Sequence, residues 1–257
     1  MKTFMAGVYT LWSRELTRFF RQPSRVAGAM GSPLIFWFLI GSGIGKSFSA
    51  NSGSDGGYLA YFFPGTVLMI LFFTAVFSTI SIIEDRREGF LQAVLVAPIP
   101  RSAMALGKIL GGATLAFIQA MLFLIFAPLV GIHFTVSSLL LTALVIFIDA
   151  FFMTAMGFLM AWRFNSIQGF HAMMNLLLMP MWMMSGALFP PEGASVWVQM
   201  LMIINPLSYG YQSLRYSLLH QSSISFSISF GATLILTVFF FVAAVRVVSK
   251  PSLKNAV

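Results

Sequence analysis

Six long runs of apolar residues, separated by short polar stretches, dominate the sequence. They cover about 26–45, 59–83, 103–130, 134–161, 167–189 and 226–247. Each run is long enough to cross a bilayer as a helix, which needs roughly 20 mostly apolar residues. The pattern predicts an all-α, polytopic membrane protein with six transmembrane helices, organised as one domain over residues 1–257. We expect the first run to be retained, because no small-residue cleavage site follows it.

Two segments outside these runs predict additional helices. In residues 3–22, apolar side chains recur at helical spacing, and Arg14, Arg18 and Arg21 share the opposite face. This is typical of an interfacial amphipathic helix on the inner surface, with its arginines toward lipid headgroups or a partner. Residues 190–225 are too apolar for an ordinary loop. They predict a re-entrant helical hairpin that enters the membrane from the outer side, with its backbone shielded by protein or water.

Charge and composition support the membrane class and set the orientation. Charged residues make up 9% of the chain, against about 25% in soluble domains. Thirteen of the 15 lysines and arginines flank one side of the predicted spans, and Lys46 and Arg215 lie on the other. By the positive-inside rule, both termini are cytoplasmic. The net charge of +8 then reflects inner loops and anionic lipid rather than nucleic acid. Cysteine is absent, which excludes disulfides and thiol chemistry.

The densest cluster of charge lies between the second and third runs. Residues 84–101 hold six of the 22 charged residues of the chain, with both signs present. One interpretation is a docking site for a soluble partner at the inner membrane surface. The other is a solvated loop whose positive charge holds the topology.

Two other features are candidates for chemistry. Asp149 is an acid in the middle of the fourth run. It would contact substrate, carry a proton, or form a hydrogen bond to a serine, threonine or asparagine on another helix. Met181, Trp182 and Met184 belong to a methionine-rich fifth run, which would form an adaptable apolar pathway wall or pass Cu(I).

Several patterns argue against an enzyme. Residues 41–47 resemble a phosphate-binding loop, but the required first glycine is replaced by Ile40. We therefore expect no ATP site in this chain. The three histidines are scattered along the chain, so they predict no metal site. No nucleophile–base pair occurs either.

Five short motifs occur in order along the chain and at matching membrane depths. They are Arg-Gln-Pro at 21–23, Tyr-Phe-Phe-Pro-Gly at 61–65, the charged loop through Arg101, Ser-Gly-Ala-Leu-Phe-Pro at 185–190, and Asn-Pro-Leu-Ser-Tyr at 205–209 followed by Arg215. Together they resemble the type-2 ABC-transporter permeases, the transmembrane subunits of bacterial drug and polysaccharide exporters, over nearly the whole length. The chain departs from that pattern at Phe90 and Gln92, where the family often has threonine and an acid.

The resemblance implies that residues 84–101 contain a coupling helix that docks into a separate ATPase. The apolar stripe and the charged rim assigned to this site are Glu84, Asp85, Arg86, Arg87, Glu88, Gly89, Phe90, Leu91, Val94, Leu95, Pro98 and Arg101. Glu84 and Glu88 would pair with Arg87 across the rim. The resemblance also assigns the outer hairpin to about 192–215, with Asn205, Pro206, Tyr209 and Arg215 in it and Asn205, Pro206 and Arg215 holding its bend.

The resemblance further implies the partners and the location. Two copies of a soluble ABC ATPase would bind ATP and Mg, while this chain binds no cofactor. A second permease copy would complete the pathway, as a homodimer or a close heterodimer, in the bacterial inner membrane. The expected cargo is a lipophilic or amphipathic compound that is exported. The alternatives are a polysaccharide or lipid-linked glycan, or an ion-coupled secondary transporter that works through Asp149.

Overall fold

The computed structural model describes residues 2–21, 33–43 and 57–249, together with residues 28 and 31. Within these residues the chain is helical and contains no strand. The helices are α1 Lys2–Phe20, α2 Pro33–Gly43, α3 Gly57–Ser78, α4 Ile80–Arg87, α5 Phe90–Val96, α6 Arg101–Phe123, α7 Val136–Arg163, α8 Ile167–Met173, α9 Met179–Trp182, α10 Val196–Ile204, α11 Pro206–Leu219 and α12 Phe226–Ser249. Two 3₁₀ segments, Leu124–Val130 and Pro191–Gly193, and two π segments, Met174–Leu178 and Met183–Ala187, join some of them.

Four helical stretches in the described part of the chain are long and apolar enough to cross a membrane. They are Tyr58–Arg87, Arg101–Val130, Val136–Arg163 and Phe226–Ser249, which match the second, third, fourth and sixth predicted spans. The all-α, multi-pass architecture is therefore confirmed. The count of six stays a prediction, because the first span lies partly outside the described residues, as does most of the segment 41–47 that resembles a phosphate-binding loop.

The fifth predicted span is helical but broken near its outer end. From α8 to Ala187 the backbone alternates between α and π segments, and Gly186 has a φ of 92°. A side chain disfavours this left-handed conformation. The break turns the Gly186 carbonyl toward α3, where it accepts a 2.8 Å hydrogen bond from Tyr61 Oη. One turn deeper, Trp182 Nε1 donates to the Gly65 carbonyl at 3.1 Å, so the fifth segment is fastened to α3.

The span that contains α3 lies at the centre of the bundle, and α12 is the most exposed span. Glycines allow the central helices to approach one another closely. A side chain at Gly112 on α6 would collide with Ser78 and Thr154, and one at Gly157 on α7 would meet the Val76 backbone at 3.1 Å. The closely packed helices α3, α6 and α7 thus form the core to which the elements at the two ends of the bundle are attached.

Candidate functional site: the inner coupling surface

Asp85, near the C-terminal end of α4, is the centre of a buried ion cluster. Its side chain is 0% exposed and accepts from three cations on two other helices. Arg14 Nη2 and Arg18 Nη1 on α1 lie 2.8 and 2.9 Å from Oδ1, and Lys108 Nζ on α6 lies 2.5 Å from Oδ2. A buried carboxylate is tolerated when its charge is paired and its oxygens are satisfied.

Further acids balance these cations. Lys108 Nζ lies 2.7 Å from Glu15 Oε1, and Arg18 Nη2 lies 3.0 Å from Glu84 Oε2 and 3.4 Å from Glu88 Oε1. Burial alone would lower the pKa of Arg14, but its hydrogen bonds and charge interaction with Asp85 outweigh burial and raise it. We call this set the inner ion cluster, after the side of the membrane predicted for it: Arg14, Glu15, Arg18, Glu84, Asp85, Glu88 and Lys108.

The cluster exists because α1 lies directly against α6. A Cβ on Gly107 would come within 2.9 Å of the Val8 carbonyl, and one on Gly111 within 2.7 Å of Glu15 Cβ. Glycine therefore permits this approach. Trp12 Nε1 also donates to Thr114 Oγ1 at 3.0 Å. Part of the apolar face of α1 is thus buried on α6, and Arg14 and Arg18 bind the chain's own acids. The placement of α1 at the membrane surface stays a prediction.

Three more arginines fasten this region to the ends of other helices. Arg86 donates to the carbonyls of Trp162 and Phe164, at 2.7 and 3.1 Å, where α7 ends. Arg101 donates to the carbonyls of Val248 and Ser249, at 3.2 and 3.1 Å, where α12 ends. Such contacts satisfy the carbonyls that a helix C-terminus leaves unpaired. Arg87 likewise donates to the Asn165 carbonyl at 3.2 Å.

A left-handed glycine separates α4 from α5. Gly89 has a φ of 78°, and α5 then turns back onto the bundle. Leu91 is 3% exposed, Val94 and Leu95 pack on the core, and the guanidinium carbon of Arg14 lies 3.8 Å from the Phe90 ring centroid. Leu91, Val94 and Leu95 of the apolar stripe predicted for docking therefore face the protein itself, whereas Pro98, its fourth member, is exposed. Leu91 anchors α5.

The exposed side of this region is different. We call it the α5 outer face, meaning the side of α5 and its flanking residues that is turned away from the helix bundle. It comprises Arg87, Glu88, Gly89, Gln92, Ala93, Val96, Pro98 and Arg101. Val96 at its end is 85% exposed. The expected rim also needs correction, because Arg18 pairs with Glu84 and Glu88, whereas Arg87 binds Asn165. The assignment of this face to an ATPase stays a prediction.

Four members of the cluster were missed from the sequence as site residues: Arg14 and Arg18, which were assigned only to the polar face of the N-terminal helix, and Glu15 and Lys108. Glu15 is the only acid in α1, and Lys108 is a lone cation within an apolar run. The signal was available, since an isolated ionisable residue in such a run usually has a buried partner. What the sequence did not contain was the partner's identity.

Comparison with known proteins identifies the family of this chain. The model of the ABC-2 type transporter family matches residues 6–219. The chain belongs to this family. It is 26% identical to transport permease ycf38 of Cyanophora paradoxa, over 92% of this chain and 86% of that protein. It is also 26% identical to nodulation protein J of Rhizobium leguminosarum bv. viciae, over 76% of this chain and 75% of that protein. ABC-2 permeases are multi-pass membrane proteins that normally work with an ATPase subunit.

On the opposite side of the permease, α10 and α11 form a helical hairpin. Asn205 Nδ2 donates to the Met181 carbonyl at 2.6 Å, and Asn205 Oδ1 accepts from the Leu207 amide at 3.1 Å. Pro206 begins α11, where its missing N–H costs nothing, and Tyr209 Oη donates to the Ile203 carbonyl at 2.9 Å. Asn205, Pro206 and Tyr209 thus hold the bend. Entry of this hairpin into the membrane stays a prediction.

Arg215 does not hold the bend, contrary to expectation. It lies nine residues beyond Pro206 on α11, a rise of about 14 Å along a helix. Its guanidinium carbon lies 5.2 Å from the Tyr61 ring centroid. Arg215 therefore joins the hairpin to α3 rather than closing the turn.

The pathway residues of the permease do not form one site. Asp149 is 0% exposed and faces α11, where a Cβ on Gly210 would come within 2.6 Å of Oδ1. Neither carboxyl oxygen has a hydrogen-bond partner among the described residues, so the alternative of a bond to serine, threonine or asparagine is not seen. Met181 and Met184 instead contact the hairpin through their carbonyls, and Trp182 is buried against α3.

Proposed function

We propose that this permease is the transmembrane subunit of an exporter that moves a lipophilic or amphipathic compound across the bacterial inner membrane. ATP hydrolysis on a separate ATPase, which binds ATP and Mg, drives the movement. Two ATPase copies act on two permease copies, and both termini of the permease are cytoplasmic. The chain itself has no catalytic role.

The observation that carries the proposal is the way the α5 outer face is attached. Leu91 fixes α5 to the core, and the inner ion cluster fixes the adjoining α4 to α1 and α6. Arg86 fixes α4 to the end of α7, and Arg101 fixes the end of this loop to α12. A displacement of the exposed residues by a bound partner is therefore transmitted to several helices at once, because closely packed and ion-paired elements move together.

The interior favours a lipophilic cargo over a glycan. The described core is built mainly from phenylalanine, leucine, isoleucine and methionine side chains, and the chain has 28 phenylalanines. Asp149 gives a specific reason to keep ion-coupled transport as a second candidate, since an unpartnered acid in the middle of a span is a potential proton carrier.

Cross-linking tests the docking surface directly, because the chain contains no cysteine. Gln92→Cys and Val96→Cys place single thiols on the α5 outer face, and Ser137→Cys places one at the exposed start of α7 as the matched control. In membranes of the native host, a short bifunctional thiol–amine reagent should join the first two variants, but not the control, to an ATPase identified by mass spectrometry.

A second variant tests the function of that contact. Ala93→Trp adds bulk on the exposed side of α5 and should abolish ATPase copurification while leaving thermal stability unchanged. Cross-links from Ser137→Cys equal to those from Gln92→Cys would contradict the docking surface. Transport by the permease alone in proteoliposomes under an ion gradient, without ATP, would favour the second candidate.

A further inference from the structure

A cavity of about 230 Å³ opens between the α10–α11 hairpin and the 3₁₀ segment Pro191–Gly193. Apolar walls come from Pro191, Met202, Ile203 and Ile224. Six further lining residues carry polar side chains: Ser185, Glu192, Gln199, Ser208, Gln212 and Ser223. The cavity thus combines an apolar interior with specific polar contacts, which is the usual make-up of a small-molecule site.

Hydrogen bonds across the cavity hold its walls in place. Gln212 Oε1, on the buried side of α11, accepts from the Ser223 amide at 3.1 Å. Gln199 Nε2 on α10 donates to the carbonyls of Pro191 and Ala194, both at 3.0 Å. Both arms of the hairpin are therefore tied to the segments that flank it, so the cavity does not depend on a single loop.

Glu192 gives the cavity its charge. Its Oε1 accepts from Ser223 Oγ at 2.8 Å, and no lysine, arginine or histidine within the described ranges forms an ion pair with it. The acids Glu15, Glu84, Asp85 and Glu88 of the inner ion cluster, by contrast, all have cationic partners. Glu192 is exposed to solvent, so its attraction for a cation is that of a carboxylate at the rim of a partly apolar cavity, where the local dielectric constant is only moderately below that of water.

We propose that this cavity binds a lipophilic cation, namely an amine or quaternary ammonium group attached to an apolar body. The ammonium group pairs with Glu192, and the apolar part lies against Met202 and Ile203. The volume is below the roughly 300–1,000 Å³ of drug-sized sites, so the cavity holds the charged head and about one ring of a larger compound. This inference rests on the proposed function and names the class of compound that is exported.

Binding to the full-length permease in lipid nanodiscs tests the proposal, with empty nanodiscs as background. The probe is radiolabelled benzyltrimethylammonium, and its uncharged isostere neopentylbenzene is the control ligand. Because the Glu192 carboxylate is exposed, Glu192→Gln should weaken binding of the cation about fivefold, equivalent to about 1 kcal/mol. The same variant should change binding of the isostere by less than about twofold, and Glu192→Asp should retain most of the affinity for the cation.

A cavity-filling variant tests the location. Met202→Trp should abolish binding of both ligands, because Met202 is buried in the cavity wall. Unchanged cation affinity in Glu192→Gln, or no effect of Met202→Trp, would overturn the proposal. The measurement uses neither ATP nor an ATPase. Cation binding can therefore be absent while the α5 outer face still cross-links to an ATPase. Conversely, the cavity can bind the cation even if export is not driven by ATP.

Discussion

Asp85 and Asp149 are both fully buried aspartates, yet their surroundings are opposite. Asp85 receives hydrogen bonds from Lys108 and two arginines of α1. Asp149 has no hydrogen-bond partner among the described residues and lies against Gly210. The first arrangement fixes helices relative to one another. The second leaves a buried carboxyl group without a hydrogen bond. A proton, a ligand or another conformation that supplied a partner would therefore lower the free energy.

The difference arises from what the neighbouring helices supply. At the inner end of the bundle, α1 presents arginines one turn apart on the face that meets α4, and α6 adds Lys108. Facing Asp149, α11 offers a glycine, and its cation Arg215 lies by Tyr61 instead. The same residue type therefore acts as an anchor in one place and as a candidate switch in the other.

The largest expected effect is at the anchor. Asp85→Asn leaves Arg14, Arg18 and Lys108 close together without their central counter-charge. Breaking a buried charge network in this way costs about 3–5 kcal/mol. Thermal unfolding in nanodiscs, compared with Asp149→Asn as the isosteric control, measures this. Equal unfolding temperatures for the two variants would remove the distinction between the two acids.

The next effect tests the contact between α7 and α11. Gly210→Ala would put a methyl group 2.6 Å from Asp149 Oδ1, and such overpacking costs about 1–3 kcal/mol. Most of that loss should disappear in an Asp149→Ala background, because the collision is then gone. A double-mutant cycle on unfolding free energy measures the coupling. Additive losses would mean that the two residues do not touch.

A smaller effect is expected at the edge of the inner ion cluster. Arg18→Ala removes contacts to Glu84 and Glu88, but Asp85 keeps Arg14 and Lys108. Because Arg18 is partly exposed, we expect a loss of about 1 kcal/mol that shrinks as salt rises. Unfolding measured at low and high ionic strength checks this. A loss as large as that of Asp85→Asn would show that Arg18 is the main counter-charge.

The smallest effect on stability is expected at Asp149. Asp149→Asn keeps the shape and breaks no ion pair or hydrogen bond among the described residues. The free energy of unfolding should therefore change by less than about 0.5 kcal/mol, the lower end of what one hydrogen bond contributes. Transport, however, should change if the carboxyl contacts cargo or carries a proton. ATP-dependent uptake into inverted vesicles measures this, with Asp149→Glu as the charge-retaining control. Normal transport in Asp149→Asn would reduce the residue to a packing role.

The two faces of α5 show how far the sequence alone could be used. Helical spacing predicted one apolar stripe of Leu91, Val94, Leu95 and Pro98. The first three share a face of α5, whereas Pro98 lies beyond the end of α5 and is exposed. The sequence did not indicate whether that face meets a partner or the chain's own core, because periodicity reports polarity and not the neighbour. The structure places it on the core and leaves Gln92, Ala93 and Val96 outside. The bend of the outer hairpin shows the same limit, since Asn205 was identified and Arg215 was assigned the wrong role.

Composition and the lengths of the apolar runs by themselves determined the membrane class, the all-α architecture and the position of the charged loop. A bilayer requires apolar runs of a set length with an internally hydrogen-bonded backbone, and such runs can be recognised directly in a sequence. The tertiary structure decided the partners. Glu15 and Lys108 are far apart in the chain and 2.7 Å apart in space, and Glu192 borders a cavity that only the folded hairpin creates. Pairings of this kind depend on which helix faces meet, and that is settled by close packing among many residues at once.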